Sequence, residues 1–233
     1  MYLASKSPQR KALLEALGID FEVVHPDYSE ENPAGQLPSE LVERHSRGKA
    51  FSVLTQLEPI PSQKPVLGVD TMVVILGQAV GKAGDEDEAR EFLRKMSGKN
   101  HLVYSGLTLL WAGGGPGERV EKTAHAVTEV RFAPIPEREL EAYVASGEGR
   151  GRAGAYAMQG KASAFVEEHR GHVTNGVGPA VPARGGMGGG AGTRRGEVSA
   201  AGRGGGMGGP HVEATKAGTE AHMRSSQGVT GRL

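Results

Sequence analysis

The stretch PVLGVDTMVVIL, residues 65–76, limits the folds open to this chain more than any other part of it. It is a nearly continuous apolar run of strand length, rich in β-branched side chains and interrupted by a single carboxylate, Asp70. Such runs are typical of strands that are covered on both faces of a sheet. The stretch therefore predicts an inner strand with a layer of structure on each side.

Helical and strand patterns alternate along the rest of the first 184 residues. The predicted strands are 1–4, 21–26, 65–76, 101–112 and 124–135, and a sixth strand follows a loop within 149–171. The predicted helices are 8–17, 39–57, 84–98 and 136–147. Some connections are long enough for parallel crossovers, while the turn GGGPGE before the fifth strand predicts an antiparallel pair. The pattern predicts an α/β fold with a mixed twisted sheet flanked by helices.

Glycine is unevenly distributed, since 16 of the 37 glycines fall in residues 185–233. This segment has scattered arginines and almost no large apolar side chains, so it cannot bury enough surface to order itself. We expect a globular domain over residues 1–184 and a disordered Gly/Arg-rich tail over 185–233. Two further interpretations of the tail are an RNA-contacting segment and a frameshifted stretch of a GC-rich gene.

Charge and cysteine content narrow the classes of function. Residues 1–184 carry 21 lysines and arginines against 24 acidic residues, so a general nucleic-acid surface is not indicated. The chain has no cysteine, which excludes disulfides and thiolate metal sites. No apolar run approaches the roughly 18 residues of a membrane span. We expect a cytoplasmic protein without a membrane partner.

The segment SKSPQR, residues 5–10, joins the first predicted strand to the first predicted helix. Ser7 is placed to cap this helix, and Pro8 suits its first position. Unpaired N–H groups and the positive end of the helix dipole then point to one place, with Arg10 beside them. Such a place attracts phosphate.

Asp70 is the strongest single candidate for chemistry, because a carboxylate within an apolar strand is costly to bury without a partner. We expect it at a strand end, facing a cleft. One interpretation is an aspartate that caps a neighbouring turn. The other is a general base for water, a ligand for a divalent cation, or both in turn.

Three cations lie in separate predicted elements, each next to small or turn-forming residues: Arg10, Lys49 and Lys82. Each alone fits a solvated surface residue. Together with the start of the first helix, they could form a positive pocket for a polyphosphate. The spacing of these residues in the sequence does not distinguish between the two interpretations.

Candidate metal ligands are acidic. Glu30 and Glu31 fit either a solvated loop or acids that join Asp70 around Mg²⁺, whose preferred ligands are oxygens and phosphate. The eight histidines show no spacing that would hold zinc, and we interpret them as surface or structural residues.

Motifs of several enzyme classes are absent from the sequence: the G-x-S-x-G elbow, the Walker phosphate loop and the Rossmann glycine fingerprint. A different series is present, in the order LASKSPQRKALLEALG, RGKA, GVDTMVV, GKAGDEDEAREFLRKMSGKNHLVYSGLTLL, TEVRF and GRAGAYAMQGKASAFV. This series is collinear over residues 1 to about 178. It closely resembles the Maf family of nucleoside triphosphate pyrophosphatases, also called septum formation inhibitor proteins.

The resemblance implies two lobes with a central cleft, as in Maf and ITPase folds. It also implies hydrolysis of a nucleoside triphosphate between the α and β phosphates, with Mg²⁺ or Mn²⁺ as cofactor. We expect a pyrophosphatase that cleans the nucleotide pool, with its triphosphate substrate as partner and no specific nucleic acid. Homodimers are common among similar proteins. The alternative is a catalytically impaired, nucleotide-binding regulator of cell division.

The resemblance also assigns roles by position. Asp70 matches the catalytic aspartate, and Glu30 with Asp70 matches the metal site. The cations that match phosphate-binding positions are Arg10, Lys49 and Lys82. The full set of matched substrate-binding residues is Ser5, Ser7, Gln9, Arg10, Lys49, Thr71, Lys82 and Gln159.

Substrate choice in the family follows three positions, which are Gln9, Thr71 and Gln159 in this chain. Thr71 and Gln159 resemble the branch that takes dTTP and UTP, whereas the branch for 7-methyl-GTP usually has glutamine and glutamate there. Gln9 departs from the arginine common in the pyrimidine branch. The resemblance therefore indicates pyrimidine triphosphates.

Two other departures from the family pattern concern stability. Ala83 follows Lys82 where proline is usual, which is a small change in loop stiffness. Near the end, NGVGPAVPARGG replaces a pattern close to NVVGLP that precedes a leucine-rich closing helix. Losing two buried leucines could cost several kcal/mol of a domain's roughly 5 to 15 kcal/mol.

Overall fold

The computed structural model describes residues 1–57, 64–113 and 118–176. The tail over 185–233, the expected loss of the closing helix and the centre of the GGGPGE turn lie outside these residues. The division of the chain after residue 184 therefore stays a prediction.

The α-helices of the described residues form where the apolar spacing predicts them. They are α1 (Pro8–Ala16), α2 (Pro38–Gln56), α3 (Glu86–Met96) and α4 (Glu137–Ala145). The sequence of residues 84–98 places Asp85 as the cap of α3, and the structure confirms this, because the Asp85 carboxylate accepts a hydrogen bond from the Glu88 backbone N–H at 2.8 Å. Within the described ranges, no helix is long and apolar enough to cross a membrane.

The strands of the described residues form one seven-stranded mixed sheet. They are β1 (Tyr2–Ala4), β2 (Glu22–Val24), β3 (Val66–Ile75), β4 (Gln78–Val80), β5 (Asn100–Ala112), β6 (Arg119–Phe132) and β7 (Val166–Arg170). Their order is β2-β1-β3-β5-β6-β7, with β4 also paired to β3. β1 runs parallel to β2 and β3, and the other pairs are antiparallel. The predicted mixed α/β fold is confirmed.

Helices cover both faces of β3, as its apolar sequence predicts. Val66 packs in one core cluster with Val53 and Leu54 of α2, whereas Leu67 packs in another with Leu14 of α1. The alternation follows from the two-residue repeat of a strand. Every residue of β3 except Thr71 is buried. β3 is therefore the inner strand of a three-layer arrangement.

One edge of β3 is paired along nearly its whole length, while the other is shared by two short strands. β5 pairs with β3 from Val66 to Val74. On the opposite edge, β1 pairs as far as Gly68 and β4 pairs only from Val73. Asp70 lies in the open segment between them. Its predicted place at a strand end is wrong, because pairing with β5 carries the strand past it.

Two glycines allow α2 to lie close to the sheet. A Cβ atom on Gly68 would overlap the Ser46 carbonyl oxygen, and one on Gly106 would overlap the Val42 carbonyl oxygen. Gly106 also lies directly opposite Asp70 in the register of β3 and β5. The helix can therefore approach the sheet beside Asp70 only because these positions lack side chains.

His101 of β5 lies in a buried aromatic cluster. Its ring makes edge contacts with Phe132 and Tyr156, and its Nε2 atom lies 2.7 Å from the Tyr156 hydroxyl. The residue is 2% exposed, and burial lowers its pKa to about 4. The ring is therefore neutral in the folded protein at neutral pH.

We expect His101 to make the folded state less stable at acidic pH. The unfolded chain, with a histidine pKa near 6.5, binds a proton that the folded chain excludes, so stability is lost as the pH falls from about 6.5 toward 4. Between pH 7.0 and 4.5 the loss should be about 2–3 kcal/mol. Urea unfolding of the wild type and of His101→Gln at both pH values measures it. Equal losses in the two proteins would exclude His101 as the titrating group.

Candidate active site

A cleft of about 1010 Å³ opens at the unpaired segment of the β3 edge. Its lining includes residues of the β1–α1 connection and residues that follow β4 and α4. All ten predicted site residues lie there: Ser5, Ser7, Gln9, Arg10, Glu30, Lys49, Asp70, Thr71, Lys82 and Gln159. Their roles stay predictions, but the fold brings these distant positions to one place.

A buried lysine joins the two predicted acidic residues. Lys49 Nζ lies 2.5 Å from Asp70 Oδ1 and 2.6 Å from Glu30 Oε1. Asp70 and Lys49 are 5% and 8% exposed, so their ion pair is largely removed from water. Partial burial acts to raise the pKa of Glu30, but the charge and hydrogen bond of Lys49 hold that pKa below its ordinary value. Glu30 is therefore an anion at neutral pH, held beside Asp70.

Arg10 links the segment after β1 to the open edge of β3. Its Nη1 donates to Ser5 Oγ at 3.2 Å, and its Nη2 donates to Thr71 Oγ1 at 3.1 Å. Burial lowers the pKa of the Arg10 guanidinium, and the charges of Asp70 and Glu30 oppose that shift. Because an arginine does not lose its proton in proteins, Arg10 places a second cation near the acidic pair.

Hydrogen bonds connect Thr71 to residues near the C-terminal end of the described chain. Its Oγ1 lies 3.1 Å from Ser105 Oγ, and the Ser105 hydroxyl donates to the Asn175 carbonyl oxygen. The fully buried Asn175 amide donates in turn to the carbonyl oxygens of Val103 at 2.8 Å and Ala126 at 3.2 Å. A short 3-10 helix, Val173–Gly176, therefore packs behind the cleft, in residues where the sequence pattern has no clear period.

The predicted Ser7 cap is wrong. Ser7 does occupy the N-cap position of α1 with an extended backbone, but its side chain makes no capping hydrogen bond. Its hydroxyl donates instead to Gln9 Oε1 at 2.7 Å. The neighbouring glutamine thus competes with the helix for the serine side chain, and the first N–H groups of α1 receive no acceptor from Ser7.

Lys82, which follows β4, and Gln159, which follows α4, line the cleft, and both are exposed. Lys82 is anchored through its backbone, which forms an isolated bridge with Ala153. Its charge acts with that of Lys49 on Glu30. Glu31, the second acid considered as a metal ligand, does not line the cleft.

Glu30 and Asp70 are two carboxylates of the cleft that could hold a divalent cation together with a phosphate ligand. Among the described residues, no group of three or more His, Cys, Asp or Glu side chains could hold a metal ion. Glu30 and Asp70 nevertheless lie close together, because both contact the ammonium group of Lys49, which occupies the space between them. Mg²⁺ commonly takes one or two carboxylates and completes its shell with water and substrate phosphates.

Among the cleft residues that sequence reasoning misses are Tyr28, Asn32 and His45. The interpretation of the histidines as surface or structural agrees with the burial of His45, but it does not anticipate a place in this cleft. The available signal was the spacing of His45 and Lys49, because residues four apart lie on the same face of a helix.

The fold and the cleft define the class of protein. It is a mixed α/β protein with a cleft at the edge of β3, and a buried carboxylate and several cations line that cleft. The family model described as Maf-like protein matches residues 1–183, and the chain belongs to the Maf family.

Relatives of known annotation agree with that assignment. The dTTP/UTP pyrophosphatase of Pelotomaculum thermopropionicum is 40% identical over 176 residues, which cover 76% of this chain and 88% of that protein. The dTTP/UTP pyrophosphatases of Syntrophus aciditrophicus and Anaeromyxobacter dehalogenans are 40% and 41% identical over 178 residues, covering 76% of this chain and 83% and 87% of theirs. Among solved structures, the Staphylococcus aureus Ham1 protein matches 57% of this chain and 71% of its own, with 13% identity and a TM-score of 0.36.

Proposed function

We propose that this chain is a nucleoside triphosphate pyrophosphatase that hydrolyses pyrimidine triphosphates to the monophosphate and pyrophosphate. The observation that carries the proposal is the arrangement of Asp70, Lys49 and Arg10 at the open segment of β3. A buried carboxylate lies there beside two cations, in a cleft large enough for a nucleotide. Membership of the Maf family and relatives named dTTP/UTP pyrophosphatase support the same activity.

Asp70 is the proposed general base. Its carboxylate takes a proton from a water molecule whose oxygen attacks the α-phosphorus. A bond forms between this oxygen and the α-phosphorus, and the bond from the α-phosphorus to the α–β bridging oxygen breaks. Pyrophosphate leaves with the electron pair, and the monophosphate keeps the oxygen of water. Lys49, 2.5 Å from Asp70, fixes the position of the carboxylate.

Arg10, Lys49 and Lys82 are proposed to bind the triphosphate and to stabilise the charge that develops on the leaving pyrophosphate. They come from α1, α2 and the segment after β4, so their charges approach the cleft from different directions. Ser5 and Ser7 add hydroxyl donors at the start of α1. The N–H groups of that helix, which Ser7 does not cap, are further donors for phosphate oxygens.

A divalent cation, Mg²⁺ or Mn²⁺, is the proposed cofactor, and Glu30 and Asp70 are the residues that would hold it. When bound, such an ion neutralises phosphate charge and polarises phosphoryl oxygens. Glu30 supplies its oxygen from a loop and Asp70 from the sheet. Because Lys49 contacts both carboxylates, it keeps the two oxygen donors close together.

Gln9, Thr71 and Gln159 are the proposed specificity residues for pyrimidine triphosphates. The Thr71 hydroxyl contacts Arg10 and Ser105, so it is fixed in direction. Gln159 is an exposed residue of the cleft lining. Thr71 and Gln159 are proposed to contact the base or sugar of the substrate.

Purified protein should release pyrophosphate from dTTP and UTP with a kcat/KM at least about tenfold above that for purine triphosphates. A panel of triphosphates, including 7-methyl-GTP, with Mg²⁺ or Mn²⁺ measures this, and each reaction is analysed for pyrophosphate and for inorganic phosphate. Nucleotide binding without any product would instead favour the regulator of cell division.

The position of attack can be measured in the same reactions. In ¹⁸O-labelled water, the label should appear in the nucleoside monophosphate, because the proposed attack is on the α-phosphorus. Label in the pyrophosphate would place the attack on the β-phosphorus and contradict the mechanism, even if the products were the same.

A further inference from the structure

Glu30 lies on a loop without regular secondary structure. Residues 25–37, between β2 and α2, form neither helix nor strand. The Glu30 side chain is 43% exposed, yet its carboxylate reaches Lys49, which is buried on α2. Holding an acid of a loop at one position costs conformational entropy, so other contacts must fix the segment.

Those contacts meet at one buried histidine. Tyr28 and Asn32 flank Glu30 at two residues on either side. The Tyr28 hydroxyl lies 3.0 Å from His45 Nδ1, and Asn32 Oδ1 lies 2.9 Å from His45 Nε2. His45 is 1% exposed and lies one helical turn before Lys49.

We propose that His45 is a positioning residue that clamps the segment of Glu30 against α2 and so holds the Glu30 carboxylate beside Lys49 and Asp70. Each end of the five-residue segment 28–32 is attached to a different nitrogen of one ring. Glu30, the middle residue of this segment, is thereby directed at the next turn of α2, where Lys49 lies.

The hydrogen bonds define the state of the ring. The Asn32 oxygen can only accept, so Nε2 of His45 carries the hydrogen and Nδ1 accepts from the Tyr28 hydroxyl. Burial lowers the pKa of His45, while Asp70 and Glu30 oppose that shift, which agrees with a neutral ring. A side chain with a single polar group could not form hydrogen bonds with both Tyr28 and Asn32 from this position.

A glycine gives independent support for docking of the segment on α2. A Cβ atom on Gly48 would overlap the ring of Tyr28. The aromatic ring therefore lies directly against the helix backbone, three residues beyond His45. The ring and the hydroxyl of Tyr28 thus make separate contacts with the same helix.

This inference rests on the proposed function, and a double-mutant cycle tests it. His45→Leu keeps an apolar side chain in the space but removes both hydrogen bonds. We expect kcat for dTTP to fall about 10- to 30-fold and the Mg²⁺ concentration for half-maximal rate to rise, with KM for dTTP changed less than about threefold. In a Glu30→Gln background, His45→Leu should change kcat less than about twofold further.

Ser52→Ala is the matched control, since Ser52 is on the same helix and its hydroxyl has no hydrogen-bond partner among the described residues. It should leave kcat unchanged. An equal loss of kcat on His45→Leu with and without Glu30→Gln would overturn the inference, because the effect would then not pass through Glu30. Wild-type activity in His45→Leu would overturn it as well.

A measurement without turnover separates this inference from the proposed function. In ¹⁵N-histidine spectra of the wild type, His45 should be the Nε2-protonated tautomer, with Asn32→Ala shifting Nε2 and Tyr28→Phe shifting Nδ1. The opposite tautomer, or no shift in either variant, would overturn the clamp. If the wild type instead shows these spectra but hydrolyses no triphosphate, the proposed function fails and the clamp stands.

Discussion

Asp70→Asn should lower kcat for pyrophosphate release by about a thousandfold or more. An amide cannot take the proton from the attacking water, so the chemical step loses its base. The Kd for nucleotide, measured without a divalent cation, should not rise, because the substitution removes a negative charge from a cleft that is proposed to bind phosphates. Pyrophosphate release and calorimetric titration with a non-hydrolysable α,β-methylene analogue measure the two effects.

The same substitution should leave the fold intact. Asparagine has nearly the same volume as aspartate, and Lys49 keeps its ion pair with Glu30, so the buried ammonium still has an anionic partner. Glu15→Gln, which removes an exposed acid of α1, is a control that should retain full activity. Wild-type turnover in Asp70→Asn would remove Asp70 from the role of base.

Gly106→Ala should lower the free energy of unfolding by about 3 kcal/mol. The added methyl group would overlap the Val42 carbonyl oxygen of α2, which is backbone and cannot rotate away. The helix must therefore move off the sheet, and Lys49 moves with it. Because Gly106 lies opposite Asp70, the displacement occurs at the ion pair itself, and activity should fall together with stability.

Gly81→Ala is the matched control for stability, because a Cβ atom there meets no atom within 4 Å. Its free energy of unfolding should stay within about 0.5 kcal/mol of the wild type. Urea unfolding of both variants makes the comparison. If Gly106→Ala were as stable as Gly81→Ala, α2 could retreat without cost, and the close approach would not be a constraint on the site.

Local patterns were sufficient to predict most of the secondary structure. The apolar run of β3, the helical spacing of α2 and the Asp85 cap of α3 each depend on residues within a few positions of one another. The short β4, Gln78–Val80, is absent from the predictions; it follows the apolar run after the turn at residues 76 and 77 and pairs back with its end. Its three residues carry too little pattern to be separated from β3.

Resemblance to a family predicted which residues belong to the candidate site. It did not predict where their side chains lie or what they contact. Asp70 was expected at a strand end and lies within β3, and Ser7 was expected to cap α1 but binds Gln9. The two errors have different origins: the pairing of β5 continues β3 past Asp70, whereas the nearby Gln9 accepts the hydrogen bond of the Ser7 hydroxyl. His45 was overlooked because its partners lie on the loop before α2.

The sequence alone determined most of the helices and strands and which charged residues are available, because helix and strand patterns arise from contacts between near neighbours. The tertiary structure decided which of those charges meet. The pairing of β1 and β4 leaves the β3 edge open at Asp70, and Gly68 and Gly106 let α2 bring Lys49 to it. These are contacts between residues far apart in the chain, and they depend on register and close packing rather than on local spacing.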